Sequence, residues 1–132
     1  MNKVRAEDVV LEIKDKSELM VDLAYSSLLY NNKTIANEVY DLENFIDDLY
    51  ETLQRDILEE VSKQRLTVDS ALTIIKLAKA GEEIADAAQE IADVQLRDVE
   101  LHPIFRMSLK ESDEVLTRVL VKEESILCGK TL

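Results

Sequence analysis

Little in these 132 residues can do covalent chemistry or interrupt a helix. The one cysteine, Cys128, excludes an internal disulfide and a thiolate zinc site. The one histidine, His102, stands before Pro103 at a helix end, and no Glu-x-x-His sequence of the diiron carboxylate bundles occurs. No nucleophile–base pair stands out, and Gly129-Lys130-Thr131 lacks the glycine-rich turn of a phosphate loop, so the chain does not read as an enzyme. With two glycines and one proline there is little to break long helices. The apolar runs fall far short of the roughly 20 residues that span a bilayer, which argues against direct membrane insertion. Met1 to Leu11 lacks a signal peptide's apolar stretch, and a cytoplasmic protein follows. Basic surface is scarce as well. The net charge of −12 disfavours nucleic acid and anionic membrane as partners and is compatible with binding cations.

What is present is helical periodicity. Val9, Ile13, Met20, Ala24 and Leu28 recur at helical spacing, predicting a first helix from about Ala6 to Tyr30. Asn31-Asn32-Lys33 is a polar break, with Asn32 or Thr34 as a cap for the next helix. Ile35, Val39, Leu42, Ile46, Leu49, Leu53 and Ile57 alternate steps of three and four, predicting a second helix to about Lys63. Thr67 caps a third, from about Val68 to Val99, with large apolar residues in its first half and alanines in its second. His102-Pro103 ends it, because proline cannot continue the hydrogen-bond ladder. Short connections make neighbouring helices antiparallel, so residues 1–102 read as an antiparallel three-helix bundle. From 103 to 132 the character changes. Val115 to Val121 is rich in β-branched residues and predicts a short β segment that needs a partner strand, as if the chain were cut within a second module.

Acidic residues fall where apolar ones are expected. Ala71, Ile75, Ala78, Glu82, Ala85 and Gln89 line up on one stripe of the third helix, with Asp86 beside it. Glu43 and Asp47 repeat the same four-residue spacing on the second helix. Carboxylates on a packing face need compensation. One reading is a solvated face or an ion pair with Lys76 or Lys79. The other is a cation site, since carboxylate oxygens one turn apart on two adjacent helices can converge on a hard metal ion. Glu43, Asp47, Glu82 and Asp86 are the candidate metal ligands. A third such pair, Glu18 and Asp22, points away from the stripe of its own helix and reads as solvated surface.

Glu82, Ile84, Ala85 and Asp86 form a Glu-x-Ile-small-Asp pattern that resembles the third helix of PhoU-like domains, the helical fold of phosphate-signalling regulators, and the resemblance runs from about Val9 to Leu101. It implies that the four carboxylates bind a divalent or iron- or zinc-type metal ion. The positions where that family often has His and Asn are Ala87 and Glu90 here. The family's regulators have two three-helix repeats, so the resemblance also implies a homodimer that restores six helices. Ser125, Leu127, Gly129 and Leu132 resemble the opening of the C-terminal ligand-binding (RCK-C-like) domain of Trk-type potassium-transport regulators. That likeness implies a potassium channel or transporter subunit as partner. Three functions are therefore expected: a non-enzymatic regulatory module of ion transport, potassium in particular; a metal-binding helical protein of the phosphate-regulation type; or a dimerisation bundle without ligand.

Overall fold

The computed structural model describes residues 3–97 and 107–108. Three long helices make the fold: α1 (Lys3–Leu29), α2 (Lys33–Ser62) and α3 (Val68–Leu96), each packed against both others. All regular structure among the described residues is helical. The β segment expected over 115–121 and the boundary expected at 102/103 lie outside the described residues.

Both connections are closed by the same device. At the end of α1 the Asn32 amide donates to the Ser27 carbonyl (2.9 Å) and the Asn31 amide to that of Leu28 (3.3 Å). At the end of α2 the Arg65 amide donates to Glu60 (2.9 Å) and the Gln64 amide to Val61 (3.0 Å). These are Schellman motifs, which need one residue in the left-handed region. Asn31 (φ 49°) and Gln64 (φ 59°) supply it without glycine. The next helices then start on capping side chains. Asn32 Oδ1 accepts from the Ile35 amide (3.1 Å), and Thr67 Oγ1 accepts from the Ser70 amide (3.2 Å). Of the two caps weighed for α2, the side chain that accepts is that of Asn32.

Two such tight turns make α2 antiparallel to both neighbours and leave α1 and α3 parallel. Glu7 therefore lies beside Ser70 and Thr73, while Glu18 lies beside Ile84. Buried residues recur every seven positions, the repeat that keeps one face toward its neighbours. In α1 they are Ala6, Ile13 and Met20, flanked by Ser17 and Ala24; in α2, Val39, Ile46 and Leu53. In α3 the two core rows are Ala71, Ala78, Ala85 and Ala92, and Ile74, Gly81, Ala88 and Gln95. The α3 rows are nearly all small, so the other helices approach closely. A Cβ on Gly81 would lie 2.6 Å from Ile13 Cγ2. Two buried serines of α1 satisfy their hydroxyls one turn back: Ser17 donates to the Lys14 carbonyl (2.8 Å) and Ser27 to that of Ala24 (2.6 Å). At the far end, Gln95 Nε2 donates to Asn31 Oδ1 (2.6 Å) and ties α3 to the α1–α2 turn.

Of the large apolar residues of early α3, Val68, Leu72 and Leu77 are exposed, while Ile74 is buried and Ile75 packs partly buried against the core. The seven-residue repeat turns Ala71, Ile74 and Ala78 inward instead.

Candidate functional site

The seam between α2 and α3 brings together all four carboxylates singled out in the sequence, though not in the arrangement that the stripe on α3 suggests. The deeply buried acid is Glu43 on α2, 7% exposed. It occupies a core row, Ala36–Glu43–Tyr50–Ile57, seven residues from each neighbour in it. Asp47 follows one turn later and is exposed, as is Asp86 on α3. Glu82 is half-buried on the flank of the alanine rows, so the polar face of α3 begins at its side chain. Because α2 and α3 run in opposite directions, the Glu43–Asp47 turn meets the Glu82–Asp86 turn across the seam.

Glu43, Asp47 and Asp86 each place a carboxylate oxygen within 4.8 Å of those of the other two. Oxygens that share one ion at about 2.0–2.6 Å can be no more than about 5 Å apart, so this triad has the span of a cation site. Glu82 adjoins it beside Asp47. The donors are all oxygen, which suits hard ions such as calcium, magnesium, manganese or ferric iron better than zinc.

The electrostatics follow from crowding. Burial, then the neighbouring Asp47 and Asp86 carboxylates, push the Glu43 carboxyl up from 4.5 to about 7. Burial likewise raises Glu82, helped by Asp47 and Asp86 and opposed by the Lys79 ammonium. Without a cation the cluster therefore holds a proton near neutral pH, with protonated Glu43 in hydrogen-bonding reach of Asp47 and Asp86.

Two residues missed in the sequence extend the seam. The Tyr40 hydroxyl donates to Asp93 Oδ1 (2.8 Å), and the other Asp93 oxygen is paired with Arg97 Nε. Asp93 raises the Tyr40 hydroxyl, with burial second, and Glu43 adds to it. Tyr40 precedes Asp47 by seven residues and Asp93 follows Asp86 by seven, so one heptad step from the named acids would have found both. Among the described residues no helix is long and apolar enough to cross a membrane.

No curated protein sequence matches the chain. The family model described as the PhoU domain matches residues 10–94, which include all of the seam between Tyr40 and Asp93. The match ends before residues 111–132, so it lends no support to a likeness there to Trk-type regulators. PhoU-domain proteins are regulators in phosphate and ion transport rather than enzymes. With most of its length covered by that match, the three-helix chain belongs to the PhoU domain family.

Proposed function

We propose that this chain is a non-enzymatic cytoplasmic regulator of phosphate or ion transport whose helix packing responds to a hard cation at Glu43, Asp47, Glu82 and Asp86. The observation that carries the reading is the convergence of three carboxylate oxygens within 4.8 Å around an acid buried in a core row. Burying Glu43 there costs stability unless a proton or a cation offsets it. A bound cation would hold α2 against α3 at mid-helix, and its loss would loosen that seam, the kind of two-state bias that a partner can read. Two copies are expected to associate and supply six helices. The narrower reading, a potassium channel or transporter subunit as partner, rests on the likeness of residues 111–132 alone. Uptake of potassium and of phosphate, compared in cells with and without the chain, separates the two.

The test of the cation site is elemental analysis of purified protein combined with thermal melts in chelator and in added calcium, manganese or ferric iron. The expected result is a metal-dependent rise in Tm that Glu43→Gln and Asp86→Asn remove and Glu82→Ala reduces. A metal-dependent rise that persists unchanged in all three variants would overturn the assignment.

A further inference from the structure

The side of α3 away from the acidic seam carries a second apolar stripe that the bundle leaves uncovered. Leu77 (59% exposed), Ala80 and Ile84 (44%) follow one another at helical spacing on α3, and Leu11 (55%) faces them from α1. Because α1 and α3 are parallel and α3 is built from small residues where they meet, the two helices leave a shallow groove. Two hollows of about 350 and 220 Å³ adjoin at Leu77. Together they follow α3 from Asp69 to Ile84, about 22 Å at the helical rise per residue. The floor is mainly aliphatic, with Ser70 and Thr73 in its Asp69 half. Its rim is acidic: Glu7 and Asp69 at one end, Glu18 toward the other. Among the described residues that line the two hollows the one cation is Lys14, which is paired with Asp15 (3.7 Å) and Glu18 (3.4 Å).

We infer that this groove docks an amphipathic helix of another protein, aliphatic on the docking face and rich in lysine or arginine on its flanks. An aliphatic strip between two parallel helices fits the ridge of a third, which inserts side chains at steps of three and four. Charge complementarity selects its flanks. Acids border the strip, Glu7 and Asp69 among them, and the chain's charge of −12 disfavours an acidic ligand there, so the six-helix association proposed above would use another face. The inference does not depend on the cation site, which lies on the opposite seam of α3.

The probe is a synthetic helical peptide of leucine and lysine, about 18 residues long to span the groove, with a glutamate-for-lysine counterpart. Binding is read by fluorescence anisotropy on the full chain at near-physiological salt. The lysine peptide is expected to bind and the glutamate peptide not. Leu77→Ser with Ile84→Ser, which leaves the charge unchanged, should weaken binding by about tenfold or more. Glu7→Gln with Glu18→Gln should weaken it more than the charge-matched Asp41→Asn with Asp48→Asn on the solvent face of α2. All four positions substituted on the groove are surface or rim sites, and unchanged helicity by circular dichroism confirms folding. Equal loss from both charge pairs, with none from the serine pair, would show only non-specific attraction and overturn the inference. So would a dimer, seen by sedimentation, that the serine pair dissociates, because a second copy would then cover the groove.

Discussion

At the scale of single residues, Glu43 sets the pH response of the metal-free protein. The folded state holds its carboxyl at about 7, above the 4.5 of an unfolded glutamate, so between those values the folded chain binds the extra proton. Stability is then fully present below about pH 4.5 and is lost as pH rises toward 7. Each pH unit of that window is worth about 1.4 kcal/mol per proton, and solvent reaching the cluster through exposed Asp47 and Asp86 brings the whole loss to about 2 kcal/mol. Glu82, also raised, acts in the same direction. In chelator, Glu43→Gln should flatten this fall and exceed the wild type in Tm at about pH 8, because a neutral amide keeps the shape without the buried charge. Urea melts at several pH values measure it, and a wild type no less stable at pH 8 than at pH 5.5 would refute the raised carboxyl. The sequence made the four acids legible because each pair repeats at one turn. It misplaced the costly one, since the stripe drawn through Glu82 uses steps of three and four from Ala71, and a small drift in the helix wheel moves Glu82 to the flank. The seven-residue row through Ala36, Tyr50 and Ile57 identifies Glu43 as the buried member of the four.

At the scale of elements, the three helices were readable from their periodicity, and the starts of α2 and α3 from a break and a cap that agree with it; the His102-Pro103 stop expected for α3 lies outside the described residues. The Gln64 turn shows what was not readable: a left-handed glutamine leaves no compositional mark, whereas left-handed Asn31 sits in a polar break visible in the sequence. These turns yield opposite predictions for one substitution. Gln64→Gly should relieve strain and stabilise by about 0.5 kcal/mol, after the entropy that glycine adds to the unfolded chain. Asn31→Gly should destabilise by about 1 kcal/mol, because it also removes the acceptor of buried Gln95. Paired denaturant melts decide it; equal signs would mean that the turn geometry or the Gln95 tie is misassigned. Gly81 makes the matching case for α3. Alanine there would gain about 1 kcal/mol of helix propensity but must displace the γ2 methyl of fully buried, χ1-stiff Ile13, at about 1–3 kcal/mol. Gly81→Ala should therefore lower stability by about 1 kcal/mol, and Ile13→Leu, which has no γ2 methyl, should recover part of that loss in a double-mutant cycle. Additive losses would place the two residues out of contact.

At the scale of the whole molecule, a charge of −12 means that any cation stabilises the fold to some degree by screening self-repulsion. Specific binding at the α2–α3 seam has to be separated from that background, and the raised Glu43 carboxyl provides the means. A cation that coordinates Glu43 must displace its proton, so its affinity rises as pH climbs through about 7. Screening of exposed carboxylates has no such dependence above about pH 6, where ordinary side-chain acids are already ionised. In about 0.5 M sodium chloride, where the Debye length is only a few ångströms, the background is saturated and the remaining effect of millimolar calcium or manganese belongs to the seam. That remainder should grow between about pH 6 and pH 8, reaching about 2–3 kcal/mol at a hundredfold excess over the dissociation constant, or some 10 °C in Tm for a domain near 100 residues. The metal-free protein loses stability over the same interval while the metal-loaded one, whose Glu43 carries no proton, stays level, so the two melting curves should diverge. Glu43→Gln should abolish the divergence, while Asp41→Asn with Asp48→Asn, equally acidic positions on the outer face of α2, should leave it intact. A divalent effect of equal size at both pH values would mean that the ions only screen the surface and that Glu43 is not a ligand.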